Sequence, residues 1–268
     1  MAIIALHSAA TGLSALSTEM DVTANNLANV NTSGFKGSRV NFQDLLYQEK
    51  ALPGVENANG DQRPTGVYVG LGTRVSGTQV NFSQGATIPT DREYDIAIQG
   101  QGFFRVAVEN DRAEGGIAYT RLGALARNSD GDLTIAGTEG RLIDPAINIP
   151  QDATAFQVQA DGTVWVAINN QPAQQIGQLQ LASFINPQGL AQIGENLFAE
   201  TAASGTPITG FPTDQGFGSI AQRQLEASNV DPTLELISLI RTQRAFEMNS
   251  QTIRAADDTL RAVSQLRS

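Results

Sequence analysis

Cysteine is absent from the 268-residue chain, and histidine occurs once, as His7. Without cysteine the chain can form no disulfide, no thiolate nucleophile and no cysteine metal site, and this absence suits either redox compartment. A single histidine within a predicted helix can build neither a histidine metal cluster nor a distant catalytic dyad. Carboxylates are plentiful, but nothing in the sequence selects an acid–base pair among them. The sequence therefore predicts no catalytic, cofactor-binding or metal-binding residues.

Aromatic residues make up 6% of the chain, and 17 basic residues stand against 27 acidic ones. Because no basic stripe with interleaved aromatic side chains is present, we expect no nucleic-acid partner. No apolar run reaches the roughly 18 residues that a membrane span requires. The N-terminus also lacks the basic start and apolar core of a cleaved secretory signal. We therefore expect no membrane insertion and no cleaved signal peptide.

The net charge of −10 is distributed unevenly. Residues 1–46 carry two basic and three acidic groups, residues 222–268 carry six of each, and the middle of the chain therefore carries −9. Like-charged helices repel each other when they pack side by side, so nearly neutral ends suit close helix packing. An acidic middle suits a solvated surface.

Apolar residues recur at every seventh position near each end of the chain. The N-terminal set is Leu6, Leu13, Met20 and Leu27, and the C-terminal set is Leu239, Phe246, Ile253 and Leu260. A seven-residue repeat is typical of a helix with one apolar seam that packs against a partner. The repeats predict two long terminal helices that pair with each other, with neighbouring copies, or with both.

The ends of these helices are marked by capping residues. The first helix is predicted over residues 3–30 and ends before Gly34, which can adopt a left-handed conformation. The second is predicted to begin at Pro232, with Asp231 as its cap, and to run nearly to the C-terminus. Polar residues 47–66 are predicted to form a loop, linker or extended arm.

From Val67 to about Leu197 the apolar period changes from seven to two. Strands are predicted at residues 96–98, 103–108, 164–168 and 179–181, with turns at residues 130–131, 161–162 and 169–170. Antiparallel pairing is favoured because no helical stretch separates the strands. Residues 201–220 form a second loose stretch.

These patterns predict an α+β fold in which the long terminal helices form a discontinuous coiled-coil domain and an antiparallel all-β domain is inserted between them. The helical domain would comprise residues 1–35 and 229–268. Extended connecting regions would cover residues 36–92, including the polar insert 47–66, and residues 205–228. The β domain would cover residues 93–204.

Two motifs match parts of ligand-binding patterns, one for calcium and one for dinucleotides, but neither match is complete. Asn128, Asp130, Asp132 and Glu139 match positions one, three, five and twelve of a calcium-loop pattern. However, its required glycine is replaced by Leu133 and the flanking residues resemble strands, so a hairpin turn is the better interpretation. Gly100-Gln101-Gly102 suggests a dinucleotide loop, but its third glycine position holds Arg105. We interpret the glycine pair as a close backbone approach before a strand and expect no cofactor.

Four asparagines, Asn25, Asn26, Asn29 and Asn31, lie near the end of the first helix. They could form a capping and turn segment, because asparagine satisfies orphan carbonyls and tolerates left-handed geometry. They could equally form a polar contact with another subunit. The sequence by itself supports both interpretations.

The segment Asn25 to Lys36 resembles the N-terminal signature of the bacterial flagellar rod and hook proteins. Further blocks of resemblance follow in family order at residues 98–106, 118–123, 228–231 and 243–250. The resemblance implies subunits that leave the cell through the flagellar type III export apparatus and polymerise into a helical tube. In the family, the terminal helices form a coiled-coil inner tube around the export channel, and a β-rich domain lies outside it.

The resemblance also implies a set of partners and a location. The partners would be further copies of the chain, proximal rod proteins, the hook protein, the P-ring and L-ring proteins, the export apparatus and the rod cap. The location would be the basal-body rod that crosses the periplasm. The expected subunit interface comprises Leu6, Leu13, Met20, Asn25, Asn26, Leu27, Asn29, Asn31, Gly34, Phe35, Leu239, Arg244, Phe246, Ile253 and Leu260. The chain would then be a structural subunit of this rod. Alternatives to this function are a proximal rod paralogue, a hook-type axial protein, or an exported enzyme with helical docking arms.

Overall fold

The computed structural model describes residues 2–54, 64–137, 139–169 and 171–265. The chain divides into two compact units. The first, here called the helical unit, comprises Met1–Ala28, Ser38–Val80 and Asp231–Ser268. The second, the β unit, comprises Asn29–Gly37 and Asn81–Val230. The three-part division of the chain into terminal, connecting and β regions stays a prediction.

Two long helices, α1 (Ala2–Ala28) and α2 (Pro232–Gln265), form the main part of the helical unit. Their presence near the two ends of the chain confirms the prediction. The Asp231 carboxylate caps α2, because its Oδ1 accepts the N–H groups of Thr233 at 2.8 Å and Leu234 at 3.3 Å. Such a cap satisfies helix amides that have no partner within the helix.

Two antiparallel strand pairs complete the described part of the helical unit. Strand β1 (Ser38–Asp44) pairs with β4 (Thr73–Val80), and β2 (Tyr47–Ala51) pairs with β3 (Val67–Gly70). The first residues of the polar insert 47–66 thus form strand β2, and its last described residues lead into β3. Residues 55–63 of the insert lie outside the described residues.

Short antiparallel strands build the β unit. They are β5 (Thr87–Pro89), β6 (Ile96–Gln99), β7 (Phe103–Ala107), β8 (Ile117–Thr120), β9 (Leu125–Arg127), β10 (Leu133–Ile135), β11 (Ala153–Val158), β12 (Thr163–Ile168), β13 (Gln174–Gln178), β14 (Leu181–Ser183), β15 (Ala191–Gly194), β16 (Leu197–Ala199), β17 (Ile208–Gly210), β18 (Ser219–Gln222) and β19 (Gln224–Glu226). Two short 3₁₀ turns lie at Glu114–Gly116 and Pro187–Gly189.

The largest sheet has six strands in the order β15-β16-β8-β7-β14-β17, and β11-β12-β13 form a three-stranded sheet. All recorded strand pairs are antiparallel, as predicted. One predicted strand was misplaced: the strand expected at residues 179–181 begins only at Leu181. The Leu179 amide donates to the Gly162 carbonyl at 2.8 Å, next to the pair of Thr163 and Gln178, and residue 179 itself lies outside the strands.

The core of the β unit is formed by large apolar residues from several strands. Its members include Ile96, Ile98, Phe104, Leu125, Leu133, Ile143, Ile149, Val164, Leu179 and Leu181, each at most 1% exposed. Alternation along the strands places those members that belong to strands on one face of each sheet. Ile143, Ile149 and Leu179 reach the core from connecting segments. No helix within the described residues combines the length and apolarity needed to cross a membrane.

The predicted turn at residues 130–131 joins β9 to β10, and Gly131 has a φ of +93° there. The Asn128 side-chain oxygen accepts the N–H groups of Asp130 at 3.0 Å and Asp132 at 2.7 Å. This oxygen therefore stabilises the turn, which confirms the hairpin interpretation of the calcium-like pattern. Across the described residues, no group of three or more acidic or histidine side chains is placed to hold a metal ion.

Candidate functional site

The candidate site is the surface of the terminal helices, which pack against each other within the helical unit. A Cβ atom added to Gly12 would lie 3.1 Å from the Asn249 side-chain nitrogen, so Gly12 permits a close approach of α2. Fourteen residues further along α1, Asn26 Nδ2 donates to Glu235 Oε1 at 3.2 Å. Glu235 precedes Asn249 by the same fourteen residues, so the two helices run antiparallel.

Asn26 is 3% exposed and joins three elements of the helical unit. Its Nδ2 donates to the Ser38 carbonyl at 2.7 Å, and its Oδ1 accepts the Ser38 N–H at 2.9 Å. Together with the bond to Glu235, these contacts connect α1, the start of β1 and the first turn of α2. Burial raises the pKa of the Glu235 carboxyl, and the hydrogen bond from Asn26 opposes this shift. Asn26 therefore works inside the subunit.

The seven-residue seams are only partly buried in this chain. The described side chains of intermediate exposure are Leu6, Leu13, Met20, Leu27, Leu239, Phe246 and Ile253. Leu260 belongs to α2, but its side chain lies outside the described part of the structure. Since each described seam residue keeps some exposed surface, the seams retain area for a further partner.

The remaining asparagines of the cluster differ in their surroundings. Asn29 is partly buried, its carbonyl accepts the Thr32 N–H at 3.2 Å, and its Oδ1 accepts the Thr32 hydroxyl at 3.1 Å. Asn25 and Asn31 are exposed. The structure thus gives Asn26 and Asn29 side-chain contacts within the chain and places Asn25 and Asn31 at exposed positions. The choice between a capping segment and a contact with another subunit stays a prediction.

Gly34 and Phe35 lie in a loop of the β unit. Gly34 has a φ of +71°, which confirms its predicted left-handed conformation, and its N–H donates to the Glu226 carbonyl at 2.8 Å. A Cβ at Gly34 would lie 2.8 Å from the backbone nitrogen of Leu122, so only glycine fits without a shift of the neighbouring chain. Phe35 is partly buried, and its carbonyl accepts the Asn229 N–H at 3.4 Å.

Lys36 forms a buried ion cluster that the sequence analysis did not predict. Its Nζ donates to Glu226 Oε1 and, at 2.8 Å, to the Ser83 carbonyl. Arg121 lies 3.4 Å from the other Glu226 oxygen, and the side chains of all three ionic residues are at most 5% exposed. Burial lowers the pKa of the Lys36 amine, and Glu226 opposes this shift. The cluster connects three segments that are far apart in the chain.

The only sequence signal for this cluster is the presence of charged residues inside the signature blocks. Lys36 ends the N-terminal block and Arg121 lies in the block at residues 118–123, but neither pattern indicates a contact with Glu226. The Asn229 side chain supports the same region of the β unit. It donates to the Asn81 carbonyl at 2.7 Å and accepts the Gly37 N–H at 2.9 Å.

Large apolar side chains are exposed over much of the helical unit. On α2 they are Leu234, Leu236, Ile237, Ile240 and Met248, which are 46% to 64% exposed. On β1 to β3 and their connections they are Phe42, Leu46, Tyr47, Leu52, Val67 and Tyr68, which are 42% to 83% exposed. Arg244 is exposed on α2 as well. Exposed apolar surface of this extent is typical of a protein–protein interface.

Three family models match consecutive parts of the chain. A model described as flagella basal body rod protein matches residues 6–36, the D1 domain of flagellar hook protein FlgE/F/G matches residues 97–166, and the C-terminal region of flagellar basal body rod FlgEFG protein matches residues 221–266. These matches define the class as structural proteins of the flagellar rod and hook.

Relatives that match over the whole chain identify the family within this class. The flagellar basal-body rod protein FlgG of Caulobacter vibrioides is 44% identical over 98% of this chain and 99% of its own length. FlgG of Agrobacterium fabrum is 43% identical over 97% and 98% of the two chains. The hook-basal body complex protein FlhP of Bacillus subtilis is 31% identical over 97% of each. The chain belongs to the FlgG family of flagellar basal-body rod proteins.

It is accordingly a structural subunit of the distal rod of the flagellar basal body. The family is structural, and its members carry names of rod proteins.

Proposed function

We propose that copies of this chain polymerise through the helical unit into the helical tube of the distal rod. The tube transmits motor torque to the hook and encloses the export channel. The observation that carries this proposal is the exposure of large apolar side chains on α2 and on β1 to β3. Burying this surface between copies would stabilise the assembly by about 25 cal/mol for each Å² removed from water.

In the proposed assembly, the terminal helices of many copies form a discontinuous coiled-coil core, with the β region as an insertion between them. The half-buried seam residues and the exposed Asn25, Asn31 and Arg244 supply contacts between copies. Asn26, Asn29, Gly34 and Phe35 contribute by holding the subunit in the shape that presents those contacts. The nearly neutral charge of the chain ends favours this close packing.

The proposed neighbours of the polymer follow from its place in the basal body. They are the proximal rod proteins on one side, the hook protein on the other, the P-ring and L-ring proteins around the rod, and the rod cap during growth. The subunit is proposed to reach the rod through the type III export apparatus without a cleaved signal peptide. The assembled rod then crosses the periplasm.

The test uses cells in which this chain is the sole distal rod subunit. A density map of rods purified from these cells is expected to place α1 and α2 around the channel. Two full-length variants, Leu13→Asp and Ile253→Asp, put a charge into the seams and are expected to abolish rods and swimming, because an unpaired charge is costly in a packed interface. A map with the β units around the channel, or normal rods from both variants, would refute the proposal.

A further inference from the structure

An exposed stripe on α2 has members three and four positions apart, so its pattern repeats every seven residues as that of the predicted seams does. Its members are Leu234, Ile237, Arg241, Arg244 and Met248, and all five are exposed. Residues three and four positions apart lie on one helix face, so these side chains form one continuous surface. The exposed Ile240 borders the stripe. We call this surface the α2 stripe.

A second exposed stripe runs along α1 with the same spacing, but its side chains are small where those of the α2 stripe are large. Its members are Ala10, Ser14, Ser17, Asp21, Ala24 and Ala28, and all six are exposed. No side chain in this set is larger than aspartate, so a neighbouring helix can approach its backbone closely. Leu13, Met20 and Leu27 lie three or four positions from members of the stripe and border it with partly buried apolar surface. We call this surface the α1 stripe.

The two stripes are complementary in size and in charge. The α2 stripe carries large apolar side chains and two cations, Arg241 and Arg244. The α1 stripe carries small side chains and one anion, Asp21. Within the described residues, none of these three charged groups has an ion-pair partner. Within one chain, each helix has its stripe exposed, so the stripes can meet only between copies.

We propose that the α2 stripe of one copy packs on the α1 stripe of a second copy and that Arg244 pairs there with Asp21. The inference rests on the proposed polymerisation and names the surfaces that perform it. Because the two surfaces differ, the contact is heterologous, and each added copy again offers one free α1 stripe and one free α2 stripe. A heterologous contact that does not close into a ring generates an open helical filament.

The ion pair is tested by charge reversal and charge exchange in cells that depend on this chain for their rods. Asp21→Arg and Arg244→Asp place like charges in contact, and each is expected to reduce completed rods about five-fold. The double variant restores opposite charges and is expected to recover most rods. As a matched control, Asp258→Arg reverses an exposed charge of α2 outside the stripe and should leave rod number unchanged.

The outcomes separate this inference from the proposed function. If unaltered subunits form rods but both single variants do so equally well, the pairing is wrong and polymerisation stands. Failure of the double variant to recover rods, with normal amounts of exported subunit, also overturns the pairing. If the unaltered chain forms no rods in motile cells, the proposed function itself fails.

Cysteine cross-linking tests the surfaces independently, because the natural chain has no cysteine. Ala24→Cys subunits are mixed in the same cells with Ile240→Cys or with Met248→Cys subunits and oxidised after assembly. A cross-linked dimer from the Ile240 pair is expected if the stripes run antiparallel, and from the Met248 pair if they run parallel. Ala24→Cys mixed with Thr242→Cys, which lies at a buried position of α2, is the control. Absence of dimer from both test pairs in assembled rods overturns the inference.

Discussion

The two units of this chain bury their apolar side chains to very different extents. In the β unit, Phe104 and Leu133 are at most 1% exposed and belong to one large core. Among the described residues of the helical unit, the buried apolar side chains are those of Ala9, Ala15 and Val80. Large residues of this unit, including those of the α2 stripe, stay exposed.

This difference indicates how each unit obtains its stability. The β unit has the buried core that a domain needs to be stable as a single copy. The helical unit has helices whose pairing buries small and polar residues, and most helical stability in proteins comes from packing of an apolar face. We infer that the helical unit gains much of its burial in the assembled rod.

The largest effect on stability is expected when one large apolar residue is truncated in each unit and the two losses are compared. Phe104→Ala should lower the free energy of unfolding of the β unit by about 3–5 kcal/mol, because it leaves a cavity in a packed core. Ile240→Ala on α2 should change the stability of the unassembled chain by less than about 0.5 kcal/mol, because the residue is exposed. Urea unfolding of both monomeric variants measures the difference. Equal losses would contradict the contrast between the units.

Lys36→Met tests the buried ion cluster of the β unit. Removing one partner leaves the Glu226 carboxylate buried with Arg121 and the Gly85 N–H as its partners, and such a loss costs about 3 kcal/mol. The measurement is urea unfolding followed by the fluorescence of Trp165, which lies in β12. Arg261→Met removes an exposed ion pair with Asp257 and serves as the control, with an expected loss below about 0.5 kcal/mol. A small loss for both would mean that the cluster contributes little.

Asn26→Ala tests whether polar contacts hold the helical unit before assembly. The change removes three hydrogen bonds to the partly buried Ser38 and Glu235, at a cost of about 2 kcal/mol. Helix content, measured by circular dichroism during heating, should fall at a lower temperature in this variant than in the unaltered chain. The exposed Asn31 of the same asparagine cluster lies beyond the end of α1 and provides a matched control, so Asn31→Ala should leave the melting curve nearly unchanged. Identical curves for the two variants would refute the assigned role of Asn26.

The smallest expected effect concerns an exposed ion network of the β unit. Arg141 and Arg112 hold the pKa of Glu195 at about 2, below its ordinary value of 4.5. A lowered carboxyl pKa stabilises the fold above pH 4.5, and this contribution is lost as the pH falls toward 2. Because the Glu195 side chain is 40% exposed, screening limits the contribution to about 1 kcal/mol.

The corresponding variant is Glu195→Gln, compared with the unaltered chain by urea unfolding at pH 7 and pH 2.5. The stability difference of about 1 kcal/mol at pH 7 should largely disappear at pH 2.5. A difference that stays constant with pH would show that the side chain acts through packing and not through its charge.

The sequence predicted those parts of the fold that depend on neighbouring residues. Asp231 and Pro232 mark the start of α2 because a cap and a fixed φ act within one helical turn. The alternating apolar residues of β6, β7 and β12 predicted strands because side chains alternate across a sheet. The left-handed Gly34 was predictable for the same local reason, since only glycine adopts that conformation without cost.

Such local patterns could not predict contacts between segments that are distant in the chain. No spacing rule indicates that Lys36 meets Glu226 and Arg121, or that Asn26 is buried while its neighbour Asn25 is exposed. These outcomes depend on how segments separated by many residues close around one another. The seven-residue repeats likewise predicted that the helices need partners, but only the burial of each side chain decided which surfaces are used inside one chain and which stay exposed.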